Sequence, residues 1–173
     1  MGDFTMKQIR RLTALLLMLC VLFTLAAPAF AASSVQSEMK DSAEYMLSTV
    51  KAPEVGSIGG EWAVIGLARS GCSVPANYFE SYYARVEKYV KDCKGVLHER
   101  KYTEYSRVIL ALTAIGKDPS NVAGYDLLKP LGDFEKTVWQ GINGPIWALI
   151  ALDSGNYDIP QNSEAKTQAT RQL

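Results

Sequence analysis

Three stretches of this chain read as helices that are apolar nearly all round, and each closes on a glycine: WAVIGLARSG at 62–71, RVILALTAIG at 107–116 and IWALIALDSG at 146–155. A helix without a polar stripe has no face to give to water, so it must be covered on most sides. None of the three approaches the roughly 20 apolar residues that a membrane crossing takes. The cover therefore has to come from the rest of the chain. The closing glycines Gly71, Gly116 and Gly155 lie 45 and then 39 residues apart, and each is followed within five residues by a proline, Pro75, Pro119 and Pro160. A glycine just past a helix supplies the left-handed stop, and a proline soon after prevents the helix from resuming. Recurrence at this period predicts helical hairpins stacked in an array.

Amphipathic segments alternate with the apolar ones. In NYFESYYARVEKYVKDC, Phe79, Tyr82, Tyr83, Val86, Tyr89, Val90 and Cys93 recur at helical spacing, with charged residues between them. In SEMKDSAEYMLSTV, Met39, Ala43, Met46 and Val50 share one face, and a shorter helix is expected near GYDLLKPL. The expected fold is all-α, with the apolar helices as an inner layer and the amphipathic helices packed outside it.

The N-terminus is of a different kind. Lys7, Arg10 and Arg11 precede the apolar run LTALLLMLCVLFTLAAP, and Ala29 and Ala31 flank a small-residue cleavage site before Ala32. This is the pattern of a secretory signal peptide over residues 1–31, with an uncleaved N-terminal anchor as the rival reading. Leu19, ahead of Cys20, does not fit a lipid-attachment site. The mature chain would be 32–173, one ordinary domain, secreted or held at the cell surface after bacterial-type export. Removing residues 1–31 takes away Asp3 against Lys7, Arg10 and Arg11, which turns a formal charge of +0 into −2. No basic run invites nucleic acid, and no second apolar stretch is long enough to span a membrane.

Cys72 and Cys93 remain after cleavage, an even count that in an exported chain suggests a disulfide. Geometry opposes it. The intervening helix separates them by roughly 20 Å, whereas a disulfide needs Cα atoms within about 7 Å. Two unpaired thiols in or near the core are expected.

The stretches GGEWAVIGLARSG and KYTEYSRVILALTAIGKDPSNVAGYDLLKPLGDFEKTVWQGINGPIWALIALDSGNYDIP resemble the terpene-cyclase/prenyltransferase-type repeat. That repeat also occurs in exported bacterial surface proteins related in fold to the cobalamin carriers of the intrinsic factor and transcobalamin family. The resemblance runs over residues 35–170. It implies an α/α toroid, of which the three hairpins here would form about half. The polar DIPQNSEAKTQATRQL is expected to begin a further helix, and the missing half of the ring is one expected partner. A HEAT or armadillo solenoid has a similar period and is the alternative array.

In such a toroid the N-terminal ends of the inner helices surround the mouth of a central cavity. The residues there are Glu61, Trp62, Tyr102, Glu104, Tyr105, Arg107, Gln140, Asn143 and Trp147. Aromatic side chains with a few polar groups suit a concave ligand site. Each also has a plainer reading: the tryptophans as core, Glu61, Thr103 and Asn143 as helix caps, and Glu104 with Arg107 as a surface pair. The family's catalytic equipment does not carry over. No D-x-D-D run is present, Asp153 and Asp158 stand alone, and the single histidine, His98, lies in a polar connector without a nearby cysteine, so no metal is expected. The thioester signature G-C-G-E-Q shares only its first two residues with Gly71 and Cys72. The expected function is an exported, non-enzymatic binding or surface-interaction module that takes a small ligand, a polymer or a surface protein without a cofactor. The alternative is a cyclase-like or polysaccharide-active α/α-barrel enzyme using Glu61, Tyr105 and Arg107, with its remaining catalytic residues in a missing C-terminal half.

Overall fold

Short helices are marginal on their own, because nucleation costs more than a few turns return, so their boundaries follow their caps and their packing. The computed structural model describes residues 2–57 and 59–160. Its elements are α1 (Gly2–Thr49), α2 (Glu61–Arg69), α3 (Ala76–Asp92), α4 (Thr103–Ala114), a 3-10 turn (Lys129–Gly132), α5 (Phe134–Thr137), a second 3-10 turn (Val138–Gln140) and α6 (Asn143–Asp153). The fold is all-α. Among the described residues the only extended pairing is an isolated bridge between Val122 and Tyr125.

The chain divides into two units, residues 1–42 and 43–173. In the first, the apolar side chains of Leu12, Leu15, Leu16, Leu17, Leu19 and Val21 are exposed. Among the described residues no helix is long and apolar enough to cross a membrane. The side chains of the expected cleavage site, 29–31, lie outside the described residues, as does the segment 161–173 in which a further helix is expected.

The second unit is organised around α4, which packs on both α2 and α6 and so makes neighbours of the three glycine-closed runs. It buries Tyr105, Ser106, Val108, Ile109, Ala111 and Leu112. From α2 come Val64 and Leu67, from α6 Ala148, Ala151 and Leu152, and from α3 Tyr78, Tyr82, Val86 and Val90, all in one core. Each fully buried Leu, Ile or Val contributes about 1.5–3 kcal/mol, which outweighs any cap in deciding that these short helices form. The amphipathic reading of residues 78–93 is matched by α3 in part: Tyr82, Val86 and Val90 are buried and Phe79, Tyr83 and Cys93 half-buried, but Tyr89 is exposed and Tyr78, outside the expected stripe, is buried.

Three local expectations are corrected. The GYDLLKPL segment is not an α-helix. Asp126 instead accepts hydrogen bonds from the backbone N–H groups of Leu128 (2.9 Å) and Lys129 (3.3 Å), and only a 3-10 turn follows. A side-chain acceptor two residues upstream competes with helix formation, and Pro130 removes a further donor. The left-handed stop is carried by Gly71 (φ 69) and Gly116 (φ 72), but after α6 it falls on Asn156 (φ 53) rather than Gly155. Gly155 serves another need there, since a Cβ on it would lie 2.3 Å from the Tyr157 ring. Finally, α6 is not covered on most sides: Ile142, Ile146 and Ile150 form an exposed apolar stripe.

Tyr78 and Arg85 anchor the end of α1 to α3. The Tyr78 hydroxyl donates to the carbonyl of Val50 at 2.8 Å, and Arg85 Nε donates to that of Pro53 at 2.9 Å. Both bonds satisfy carbonyls of the loop that follows α1, acceptors that no regular element pairs there. Cys72 and Cys93 are both free and half-buried, and burial pushes the Cys93 thiol above its ordinary pKa.

Candidate functional site

Glu61 is the first residue of α2, a position where a carboxylate suits the positive end of the helix dipole. Gly60 before it has no room for a side chain, because a Cβ would lie 1.9 Å from the carbonyl oxygen of Glu54. The close approach of that loop turns the Glu61 carboxylate inward, where it is fully buried. Its Oε1 accepts from the N–H of Gly56 at 2.8 Å and lies 3.5 Å from the Tyr82 hydroxyl, and its Oε2 accepts from Arg107 Nε at 3.0 Å. Arg107 also donates through Nη2 to Glu104, one turn earlier on α4. A buried carboxylate is tolerable only when it is paired and hydrogen-bonded in this way. Burial, followed by the charge and hydrogen bond of Glu61, holds the Tyr82 hydroxyl protonated well above the usual phenol range.

Trp62 turns the other way. Its side chain is 44% exposed and meets Trp147 of α6 edge-on, with ring centroids 5.6 Å apart and planes inclined at 62°. Such edge contacts add about 0.5–1.5 kcal/mol to the area buried. The two rings, with Thr103, Arg107, Gln140 and Asn143, line a cavity of about 310 Å³. Gln140 Oε1 accepts from the backbone N–H of Thr103 at 3.0 Å, fixing the second 3-10 turn to the start of α4. Glu61, Thr103 and Asn143 open α2, α4 and α6, so three helix starts are gathered around one opening. None of the three caps its helix through its side chain, and the N-cap positions are Gly60, Tyr102 and Ile142.

Of the residues singled out in the sequence, Trp62, Arg107, Gln140, Asn143 and Trp147 therefore share one cavity, while Glu61 and Glu104 hold Arg107 in place. Tyr102 and Tyr105 lie elsewhere. They line a larger cleft of about 920 Å³ together with Tyr125, Phe134, Lys129 and Lys136. The buried Tyr105 hydroxyl accepts from the N–H of Leu97 at 3.1 Å and lies 3.3 Å from the carbonyl of Gly95, pinning that connector. Burial raises the pKa of both tyrosines. Thr103, read in the sequence only as a cap, lines the first cavity. The second cleft was not anticipated, because its walls come from connectors that carry no periodic pattern.

His98 is a turn residue, its Nδ1 accepting from the N–H groups of Arg100 and Lys101 at 3.1 Å each. Among the described residues no group of His, Cys, Asp and Glu side chains is placed to hold a metal ion. Comparison with family models, curated proteins and solved structures gives no match to this chain.

Proposed function

We propose that this chain is an exported, non-enzymatic binding module whose site is the cavity between Trp62 and Trp147. One observation carries the reading: two tryptophans from different helices meet over an opening whose only charged lining residue among those described, Arg107, is already paired with two carboxylates. Aromatic walls with a few fixed polar groups are the usual make-up of a ligand cleft, and about 300 Å³ is the lower end of the usual size. The residues of the enzymatic alternative are engaged otherwise. Glu61 is fully buried under Arg107, and Tyr105 holds the 95–97 connector.

The terpene-cyclase/prenyltransferase-type half-ring remains our proposal for the arrangement. It is supported by the adjacency of α2, α4 and α6, by their starts lying around one opening, and by the uncovered Ile142, Ile146 and Ile150 stripe, the flank on which a further hairpin or partner would pack. The test is a tryptophan-fluorescence titration of the mature chain against chemically distinct ligand classes. At least one class is expected to give a saturable change that is lost in Trp62→Ala. A flat response to every class would overturn the binding reading.

A further inference from the structure

The cavity rests on the binding reading above, and its chemistry narrows the ligand. Among the described residues its lining holds no carboxylate and a single cation, Arg107, whose Nε is bonded to Glu61 and Nη2 to Glu104. An anionic ligand would have to compete with two resident carboxylates for that guanidinium. A cationic ligand would find aromatic rings but no carboxylate at the opening, since Glu61 is fully buried and Glu104 is drawn onto Arg107. Two carboxylates against one guanidinium disfavour an anion, and no lining carboxylate is left to pair a cation.

The remaining polar groups are neutral. Thr103 offers a hydroxyl, and Gln140 and Asn143 offer planar amides that each carry donors and an acceptor. Gln140 uses its acceptor on the Thr103 N–H, which leaves its NH₂ group for the cavity. Among the described residues no hydrogen bond is formed by the side chain of Asn143 or by the indole N–H groups of Trp62 and Trp147. A purely apolar ligand would fill the space between the rings but leave these groups without partners, at a cost that a polar ligand avoids. The best fit is a ring with one apolar C–H face to lie on an indole and an edge of neutral hydroxyls to meet the amides.

We infer that the Trp62–Trp147 cavity binds a neutral saccharide, with an indole as stacking platform and Gln140, Asn143 and Thr103 as its hydroxyl readers. The exposure of Trp62 and Asn143 leaves the ligand open on its outer side, so a short stretch of a longer glycan fits as well as a free sugar.

The experiment titrates the mature chain, by tryptophan fluorescence and calorimetry, with short oligomers of glucose, xylose, mannose and N-acetylglucosamine. Parallel titrations use choline, glucuronate with inorganic phosphate, and farnesol. Saccharide binding is expected in at least one series and absent with the other probes. Asn143→Ala, an exposed change that does not threaten folding, is expected to weaken it by at least about tenfold, and Trp62→Ala to abolish it while Trp62→Phe retains part. Far-UV circular dichroism should be unchanged in all three. Binding of choline, of the anions or of farnesol in place of every saccharide would overturn the inference while leaving the binding module standing. Saccharide binding that survives both Asn143→Ala and Trp62→Ala would remove it from this cavity. Silence toward every probe would count against the saccharide and the binding module together.

Discussion

Arg107 reaches from α4 back to the start of α2, its Nε donating to Oε2 of Glu61 at 3.0 Å across 46 positions of sequence. The bond ties α2 and α4 together beside the cavity that Arg107 lines. Replacing Glu61 by Ala would leave Arg107 with Glu104 alone and deprive the Gly56 N–H of its acceptor. Breaking a buried pair by removing one partner costs about 3–5 kcal/mol, and because Arg107 is 21% exposed the lower end is expected. Glu61→Gln keeps an acceptor and should lose less, about 1–2 kcal/mol. Urea denaturation of the variants measures both. An Ala variant within about 0.5 kcal/mol of the parent would mean that the pair does not help to hold α2 against α4.

Gly144 is a second point of close approach, since a Cβ there would lie 1.7 Å from the carbonyl oxygen of Thr137. Gly144→Ala must push α6 away from α5, at a cost of about 1–3 kcal/mol. The displacement should also disturb the Trp62–Trp147 contact and change the near-UV circular dichroism. Gly71→Ala is the contrast. Nothing lies within 4 Å of a Cβ there, but the φ of 69 is strained for alanine, so about 1 kcal/mol should be lost with the tryptophan signal intact. If the two variants prove indistinguishable in the near-UV, Gly144 does not position the cavity.

Burial is the first cause raising the hydroxyl pKa of Tyr78, Tyr82, Tyr89, Tyr102 and Tyr105 above the ordinary value. The folded chain therefore keeps protons that the unfolded chain gives up at about pH 10. Their contribution to stability is complete below that pH and is lost as pH rises toward the folded pKa values. Denaturation midpoints should be level in the neutral range and fall from about pH 10 upward. Tyr82→Phe should make the fall shallower. A midpoint that does not decline in alkali would be inconsistent with the burial of Tyr78, Tyr82, Tyr102 and Tyr105.

Export is testable directly. In a bacterial host the secreted protein should begin at or near Ala32 by mass spectrometry. Recovery of a chain beginning at Met1 in the membrane fraction would instead support the uncleaved anchor.

Much of the candidate site was legible because side-chain chemistry at helix starts is local information. Glu61, Trp62, Arg107, Gln140, Asn143 and Trp147 could be named from their places ahead of or inside the apolar runs. Their roles were not legible. Glu61 was equally suited to capping or ligand contact, and only the approach of Glu54 and Gly56 to the start of α2 gave its carboxylate a buried place. Tyr105 sits two residues from Arg107, about half a turn away on the same helix, and packs under another connector.

The sequence by itself determined the helical class, the places of the three apolar runs and the Tyr82, Val86 and Val90 part of the buried face of α3, since each depends on spacing within a few turns of the chain. The GYDLLKPL segment does not form its expected helix, because competition between Asp126, Pro130 and helix propensity is settled by small differences in energy. Only the tertiary structure decided that α4 is the shared neighbour of α2 and α6, that Trp62 meets Trp147 while Glu61 meets Arg107, and that one face of α6 is left uncovered. The physical reason is that these are contacts between residues distant in sequence. Adjacent side chains on a helix such as Glu61 and Trp62 point in different directions, so which becomes core and which becomes surface is set by what packs beside the helix.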